Sequence, residues 1–337
     1  MMKDTLLCIQ QFLFTFIRRA RNSNRFYFLF ISIIIIVIDI ASVGALNKVN
    51  ACSGEIVGSN GRIGNFLLGQ SERIYGVPYA AVTRNNVEKC GRLSEPGTPI
   101  IFCVGGNSVY EVLKYVPAER RKDVCLFCNG LFTDIEDVTI AVPHFGILSV
   151  GAEPICKTGC PPTVVYGKHA ENLAVLIHPL TVKCETYREE IDKYAVQKLL
   201  WSSTLWLFTS KYDISVEKVH QKYHQCLENL IKELLPAADK LLKKESKENS
   251  KKIEDGSDCN WNANSNKKPM FKIEEVMEYL KAYSNSMPGA KPSIELALKE
   301  AADRNGRLLA YACFKEPQSL HKRMLSELGV DVINIIK

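Results

Sequence analysis

The chain predicts an α/β domain followed by an all-α C-terminal domain, both behind an N-terminal hydrophobic targeting or anchor segment. Three observations lead there. Short apolar runs alternate with helix-like runs up to residue 185, and long helical periods replace them from residue 186. A 20-residue apolar stretch stands apart near the N-terminus. With 337 residues, the chain has the length for two domains and a sizeable core.

The apolar stretch comes first. Arginines precede "FYFLFISIIIIVIDIASVGA", residues 26–45, in which Asp39 is the one charged residue. That length spans a bilayer core, and Val43, Gly44 and Ala45 would suit a signal peptidase. Three readings stay open for residues 1–48: a cleaved signal peptide, a retained membrane anchor, or a bipartite leader for a plastid reached by the secretory route. Residues 49–337 are then the folded part, in a reducing compartment if the cysteines are thiols. The chain has twelve cysteines, eleven of them outside the leader, an odd number. Several lie in strand-like runs, which favours buried thiols over a disulfide framework. Cys125 and Cys128, three apart on a strand, point to opposite faces and make a poor metal pair. "CKTGC" (Cys156 and Cys160) has no second pair to complete a zinc set, so no metal is expected.

Charge narrows the partners. The net charge is +6, and the first 45 residues supply half of it, with five basic residues against two acidic. The remainder is nearly balanced and has no basic stripe, so nucleic acid is not an expected partner.

The folded part opens on "IVGSNGRIGNF", residues 56–66. A short apolar run enters three glycines and a helix-like run leaves them. The spacing is G-x-x-G-x-x-G. With Gly61 and Gly64 in the last two positions of a dinucleotide loop, Ser59 takes the position of the first glycine. Gly61 then lets the backbone approach a pyrophosphate, and Gly64 lets the helix pack against the strand. Gly58, Ser59, Gly61, Arg62, Ile63 and Gly64 are the expected cofactor contacts of this loop. An ordinary turn is the competing explanation; the strand before and the helix after favour the nucleotide. Twenty residues beyond Gly64, where an NAD site usually has a carboxylate, stands Arg84. A guanidinium there suits a 2′-phosphate, so NADP(H) is the expected cofactor.

"PYAAVT" (78–83), "PIIFCV" (99–104), "DVCLFC" (123–128) and "VTIAVPHF" (138–145) read as strands, and "SVYEVLKYV" (108–116) as a helix capped by Ser108. "PTVVYG" (162–167) and "LTVKCE" (180–185) extend the sheet, with the helix "KHAENLAVLI" (168–177) between them. Continuous apolar strands joined by helices predict a parallel sheet covered on both faces. With the glycine loop, this is the layout of a Rossmann domain over residues 49–185.

Residues 186–337 read as the helical domain. The first long helix, "TYREEIDKYAVQKLLWSSTLWLFTSKY", has its stripe at Ile191, Ala195, Ser202 and Leu205. "VEKVHQKYHQCLENLIKELLPAADKLL" continues the helical period. Residues 243–268, rich in Lys, Asn and Ser, read as a disordered insertion. Helical stretches at 272–284 and 293–313 and one at the C-terminus close the chain.

"PIIFCVGGNSVYEVLKYVPAERRKDVCLFCNG" resembles the ketopantoate reductase-like family, of the 6-phosphogluconate dehydrogenase C-terminal-like superfamily, and especially its divergent branch in plastid-containing eukaryotes. The resemblance continues through "AVPHFGILSVGAEPI" and "VVYGKHAENLA" and spans roughly residues 50–320. It implies an NADPH-dependent reduction of a small 2-keto acid. Asn129, in the pair Asn129-Gly130, would face cofactor and substrate. Lys198, in "VQKLLW", would be the general acid, and Glu300, five residues before Asn305-Gly306, would bind a substrate hydroxyl. Lys198 also lies seven residues after Ile191 and seven before Leu205, on an apolar stripe, where an ammonium needs a cleft or snorkels at the edge. Ser202 and Trp206 stand where the family often has asparagines, and Pro288 and Pro292 where it has a serine and an aspartate. Rival readings are a non-catalytic NADP(H)-binding protein, a β-hydroxyacid dehydrogenase, and a short-chain dehydrogenase through Tyr194 and Lys198. Fold analogy adds a homodimer through the helical domain, and residues 26–45 add a membrane tether.

Overall fold

The computed structural model describes residues 54–132, 134–248, 270–292, 294–311 and 319–335. All described residues belong to one compact unit, Ser53–Lys337. The expected leader, 1–48, falls outside them. No helix among the described residues is long and apolar enough to cross a membrane.

Seven short strands form one sheet in the order β2-β1-β3-β4-β5-β6-β7. They are β1 Glu55–Val57, β2 Ala80–Val82, β3 Ile100–Phe102, β4 Val124–Leu126, β5 Thr139–Val142, β6 Thr163–Tyr166 and β7 Val182–Glu185. The first five are parallel, as expected. β6 is not: it runs antiparallel to β5, with Ile140 opposite Tyr166. A parallel return needs a crossover, usually helical. Residues 143–162 hold no helix, and the chain doubles back through a bridge between Gly146 and Ile155. β7 is again parallel to β6, because helix α3 (Ala170–Leu176) carries the chain across.

Side chains alternate along each strand, so the sheet has two apolar faces. Ile56, Ile101, Cys125 and Val165 pack with Leu67 of α1 (Arg62–Tyr75) and with Leu173 and Leu176 of α3. Val57, Phe102, Leu126 and Val164 belong to the other cluster, which runs on into the helices beyond residue 186. Cys125 and Cys128 fall in different clusters, which follows from their spacing. The helical part therefore covers one face of the sheet, and a continuous core joins the two.

That part contains α4 (Arg188–Tyr212), α5 (Val216–Lys222), α6 (His224–Glu248), α7 (Ile273–Ser286), α8 (Ile294–Lys299), α9 (Arg307–Tyr311), α10 (Leu320–Glu327) and α11 (Val332–Ile335). Three details differ from the sequence reading. Residues 243–248, expected in the insertion, are the last turns of α6, and residues 249–269 lie outside the described residues. The stretch 293–313 is not one helix, since a π-helical turn, Ala302–Gly306, separates α8 from α9. The helix expected at 108–116 shortens to α2, Val109–Leu113, and Ser108 at its N-cap makes no capping bond. Its hydroxyl donates instead to the Asn107 side chain at 3.3 Å. All eight cysteines among the described residues are free.

Candidate active site

The chain steps from β1 to β2 on one side and to β3 on the other. The carboxyl ends of β1 and β3 therefore flank a crevice, the usual ligand position of an open α/β sheet. A cavity of about 820 Å³ opens there, lined by Gly58, Gly61, Thr83, Arg84, Cys103 and Gly105 among others. Glycine builds its floor. Gly58 has φ +81°, and a Cβ on it would lie 2.6 Å from the Cys103 carbonyl oxygen. A Cβ on Gly64 would lie 2.3 Å from the Gly58 oxygen, so only glycine lets α1 seat against the turn. Gly61 is the N-cap of α1, with no side-chain cap and no acidic residue in the first turn. The positive end of that helix faces the cavity with its first N–H groups free of intrahelical partners.

The expected loop residues divide accordingly. Gly58 and Gly61 line the cavity. Gly58 makes the tight turn that the sequence reading gave to Ser59, because the positive φ falls there. Ser59 is buried and its hydroxyl donates to the Val82 carbonyl at 3.4 Å, tying the loop to β2. Arg62 turns away, donating to the Ile147 carbonyl at 3.0 Å. Ile63 packs against the α1 face of the core. Arg84 lines the cavity just past β2, exposed and without a partner among the described residues. Glu111 of α2 is the carboxylate in the lining, and it pairs with Lys114 at 2.8 Å.

A second pocket lies beyond the next strands of the same edge. Cys128, Asn129 and Gly130 follow β4, and Val142 ends β5. Ala195, Lys198, Leu199 and Ser202 face them from α4, with Arg304 from the π-helical turn. Its volume is about 10 Å³, room for a single water. Lys198 is largely buried and its ammonium donates to the Pro143 carbonyl. No carboxylate among the described residues stands within ion-pair distance of it. Burial, with the Arg304 guanidinium adding to it, pushes Lys198 down to about 7. Burial also pushes the neighbouring Cys128 thiol up to about 12, so it stays neutral.

The residue after Pro143 is held from both ring nitrogens. His144 Nδ1 lies 2.6 Å from the Pro162 carbonyl and Nε2 lies 2.6 Å from the Tyr279 hydroxyl. A carbonyl can only accept, so Nδ1 carries the proton and Nε2 accepts from tyrosine. Burial, with the Lys198 charge behind it, lowers His144 to about 3. The ring is a neutral strut that fixes the backbone carrying the acceptor of Lys198.

Glu300 follows the end of α8 and ion-pairs with Arg304 four residues on. The π-helical turn shapes this, with the Gly306 amide reaching back to the Ala301 carbonyl at 2.8 Å. Asn305, fully buried, anchors the turn. Its amide donates to the Ser203 carbonyl at 2.9 Å and to His321 at 2.8 Å, and its oxygen accepts from Trp206 at 3.1 Å. Trp206 thus braces the turn, while the Ser202 hydroxyl donates to Leu199 of its own helix. Lys198, Asn129 and, through Arg304, Glu300 converge on the second pocket, whereas Gly58, Gly61 and Arg84 converge on the first. Sequence reasoning missed Arg304. Its signal was an arginine four residues after Glu300, directly before the Asn-Gly pair. The short-chain pattern gains nothing, since the Tyr194 hydroxyl accepts from Lys183 at 3.3 Å.

No family model and no curated protein matches the sequence. Among solved structures, the chain is similar to a PanE/ApbA family ketopantoate reductase from Ralstonia eutropha JMP134. That match has 15% identity and a TM-score of 0.49, over 84% of this chain and 94% of that one. It is also similar to a dimeric ketopantoate reductase from Staphylococcus aureus, at 12% identity, the same two coverages and a TM-score of 0.48. A D-mandelate dehydrogenase solved with NADH matches at 14% identity and a TM-score of 0.44, over 84% of this chain and 94% of that one.

Proposed function

We propose that this chain is an NADPH-dependent reductase of a small 2-keto acid. One observation carries the reading: a largely buried lysine, held near 7, lines a pocket on the same sheet edge as a glycine-floored cavity. The cavity fits a dinucleotide, since its volume lies within the roughly 300–1,000 Å³ of ligand sites and an uncapped helix start faces it. Gly58 and Gly61 would border the pyrophosphate and Arg84 the 2′-phosphate. Bound NADPH supplies hydride to a carbonyl carbon. Lys198 gives its proton to the carbonyl oxygen and becomes a neutral amine, which solvent reprotonates. A lysine near 7 suits that task, because it is charged in neutral water and still gives up the proton. Asn129 would orient the substrate from the opposite wall.

The reading is tested by following NADPH absorbance with ketopantoate and a panel of short 2-keto acids, beside Lys198→Ala. Turnover that vanishes in the variant supports it; NADPH binding with no acid reduced removes it. The latter result would favour a non-catalytic NADP(H)-binding protein, a reading that the shut second pocket supports.

A further inference from the structure

Among the described residues two arginines are buried, and they are used in opposite ways. Arg120 is 3% exposed and surrounded by acceptors. It pairs with Asp123 at 2.8 Å and donates to the carbonyls of Gly91, Ser94 and Thr98. That guanidinium is a structural clamp with no edge left for a ligand. Arg304 is 9% exposed and its one partner among the described residues is Glu300. Its Nε is buried with no hydrogen-bond partner. Five N–H donors in a rigid fork call for more than one carboxylate oxygen, and the fork lines the pocket that contains Lys198.

We propose that Arg304 binds the carboxylate of the substrate by exchanging it for Glu300, which leaves Lys198 to the keto oxygen. The inference rests on the reductase reading for the keto oxygen alone; the carboxylate site stands on Arg304 itself. Glu300 already presents a carboxylate to the fork, so an incoming acid replaces like with like. The exchange also explains how a pocket of about 10 Å³ admits a ligand. Arg304 lines it while paired with Glu300, and an acid that engages the fork parts the two. A guanidinium–carboxylate contact is planar and two-pronged, so the substrate class narrows to acids with a free, unhindered carboxylate beside the reacting carbon. Esters and amides of the same skeleton are excluded.

The test is equilibrium binding by calorimetry, with and without NADPH, of oxamate and of its neutral counterpart oxamide. Neither is reduced, and the two differ in one carboxylate. Wild-type protein is expected to bind oxamate roughly 10–100-fold more tightly than oxamide, the range of a charge-assisted hydrogen-bonded pair. Arg304→Gln is expected to bring the two within about twofold, with Arg304→Lys between. Glu300→Gln removes the competitor and is expected to raise the preference for oxamate. Opposite shifts in the two variants are what a structural ion pair cannot produce, since breaking one from either side would lower thermal stability and leave the oxamate-to-oxamide ratio alone. Equal binding of the two probes, no binding of oxamate, or a preference that survives Arg304→Gln overturns the inference. Arg304-dependent oxamate binding in a protein that reduces no keto acid would instead remove the reductase reading and keep the carboxylate site.

Discussion

Two cavities lie along the same edge of one sheet, about 820 Å³ beyond β1 and β3 and about 10 Å³ beyond β4 and β5. They differ in what builds them. The larger has a floor of backbone, with Gly58 and Gly61 in its lining and the start of α1 at its mouth. Such a floor has no side chains to fall inward. The smaller is made by long charged side chains. Lys198 reaches the Pro143 carbonyl and Arg304 reaches Glu300, because a buried charge left alone costs far more than an imperfect partner. On the proposed reading, a nucleotide site is preformed, and a substrate site assembles when something better than Glu300 arrives.

The strongest way to break this contrast is Lys198→Met. If the ammonium serves chemistry, kcat falls by roughly 10²–10⁴-fold while the NADPH dissociation constant does not move. Stability should change the other way. A lysine lowered from 10.5 to about 7 carries a folding penalty that is full below 7 and vanishes as pH rises past 10.5. Discounted for partial exposure, that penalty is roughly 2–4 kcal/mol near neutral pH. The methionine variant should therefore be more stable at pH 7 and lack the wild-type gain in stability between pH 7 and 10.5. Chemical denaturation at several pH values checks both. A less stable variant would make the bond to Pro143 structural. In the wild type, the rate of reduction should fall as pH rises through about 7, because the proton donor is lost.

Gly64→Ala acts on the other cavity. Its Cβ would meet the Gly58 oxygen at 2.3 Å, against backbone that cannot rotate aside. The expected loss is roughly 1–3 kcal/mol of stability, the usual penalty of overpacking, together with weaker NADPH binding. Oxamate binding without nucleotide should survive. Titration of both ligands into the variant separates the cavities; loss of oxamate binding alongside NADPH would show that they are one site.

The contrast also sets what was legible in the sequence. Features made by backbone and local pattern could be read: the strands, the glycine loop before a helix, and the apolar stripe that makes Lys198 conspicuous. The antiparallel β6 could not, because its residues alternate no differently from those of a parallel strand; only the missing crossover after Pro143 marks it. Gly58 and Ser59 traded roles for a similar reason, since spacing counts residues while the positive φ depends on where β1 stops. Arg304 was least visible. Its place depends on a π-helical turn braced by Asn305, Trp206 and His321, side chains up to 115 positions apart in sequence. No local pattern encodes a contact of that range.

Arg84 offers the smallest and most selective test. It stands exposed in the lining of the open cavity, and Thr83 on its N-terminal side caps the short turn that follows β2. Its charge has no competing partner among the described residues, unlike Glu111 across the lining. A guanidinium so placed attracts a phosphate ester and has little to offer a free ribose hydroxyl. Arg84→Gln should therefore weaken NADPH roughly 10-fold, the loss of one charge-assisted contact near water, and leave NADH nearly unchanged. Salt should reproduce part of the effect in the wild type, because an exposed pair is screened within about 8 Å at physiological ionic strength. Dissociation constants for both nucleotides, measured by quenching of tryptophan fluorescence at two salt concentrations, decide it. A variant that loses both nucleotides equally would place Arg84 at the pyrophosphate, and the preference for NADPH would have to arise elsewhere in the cavity.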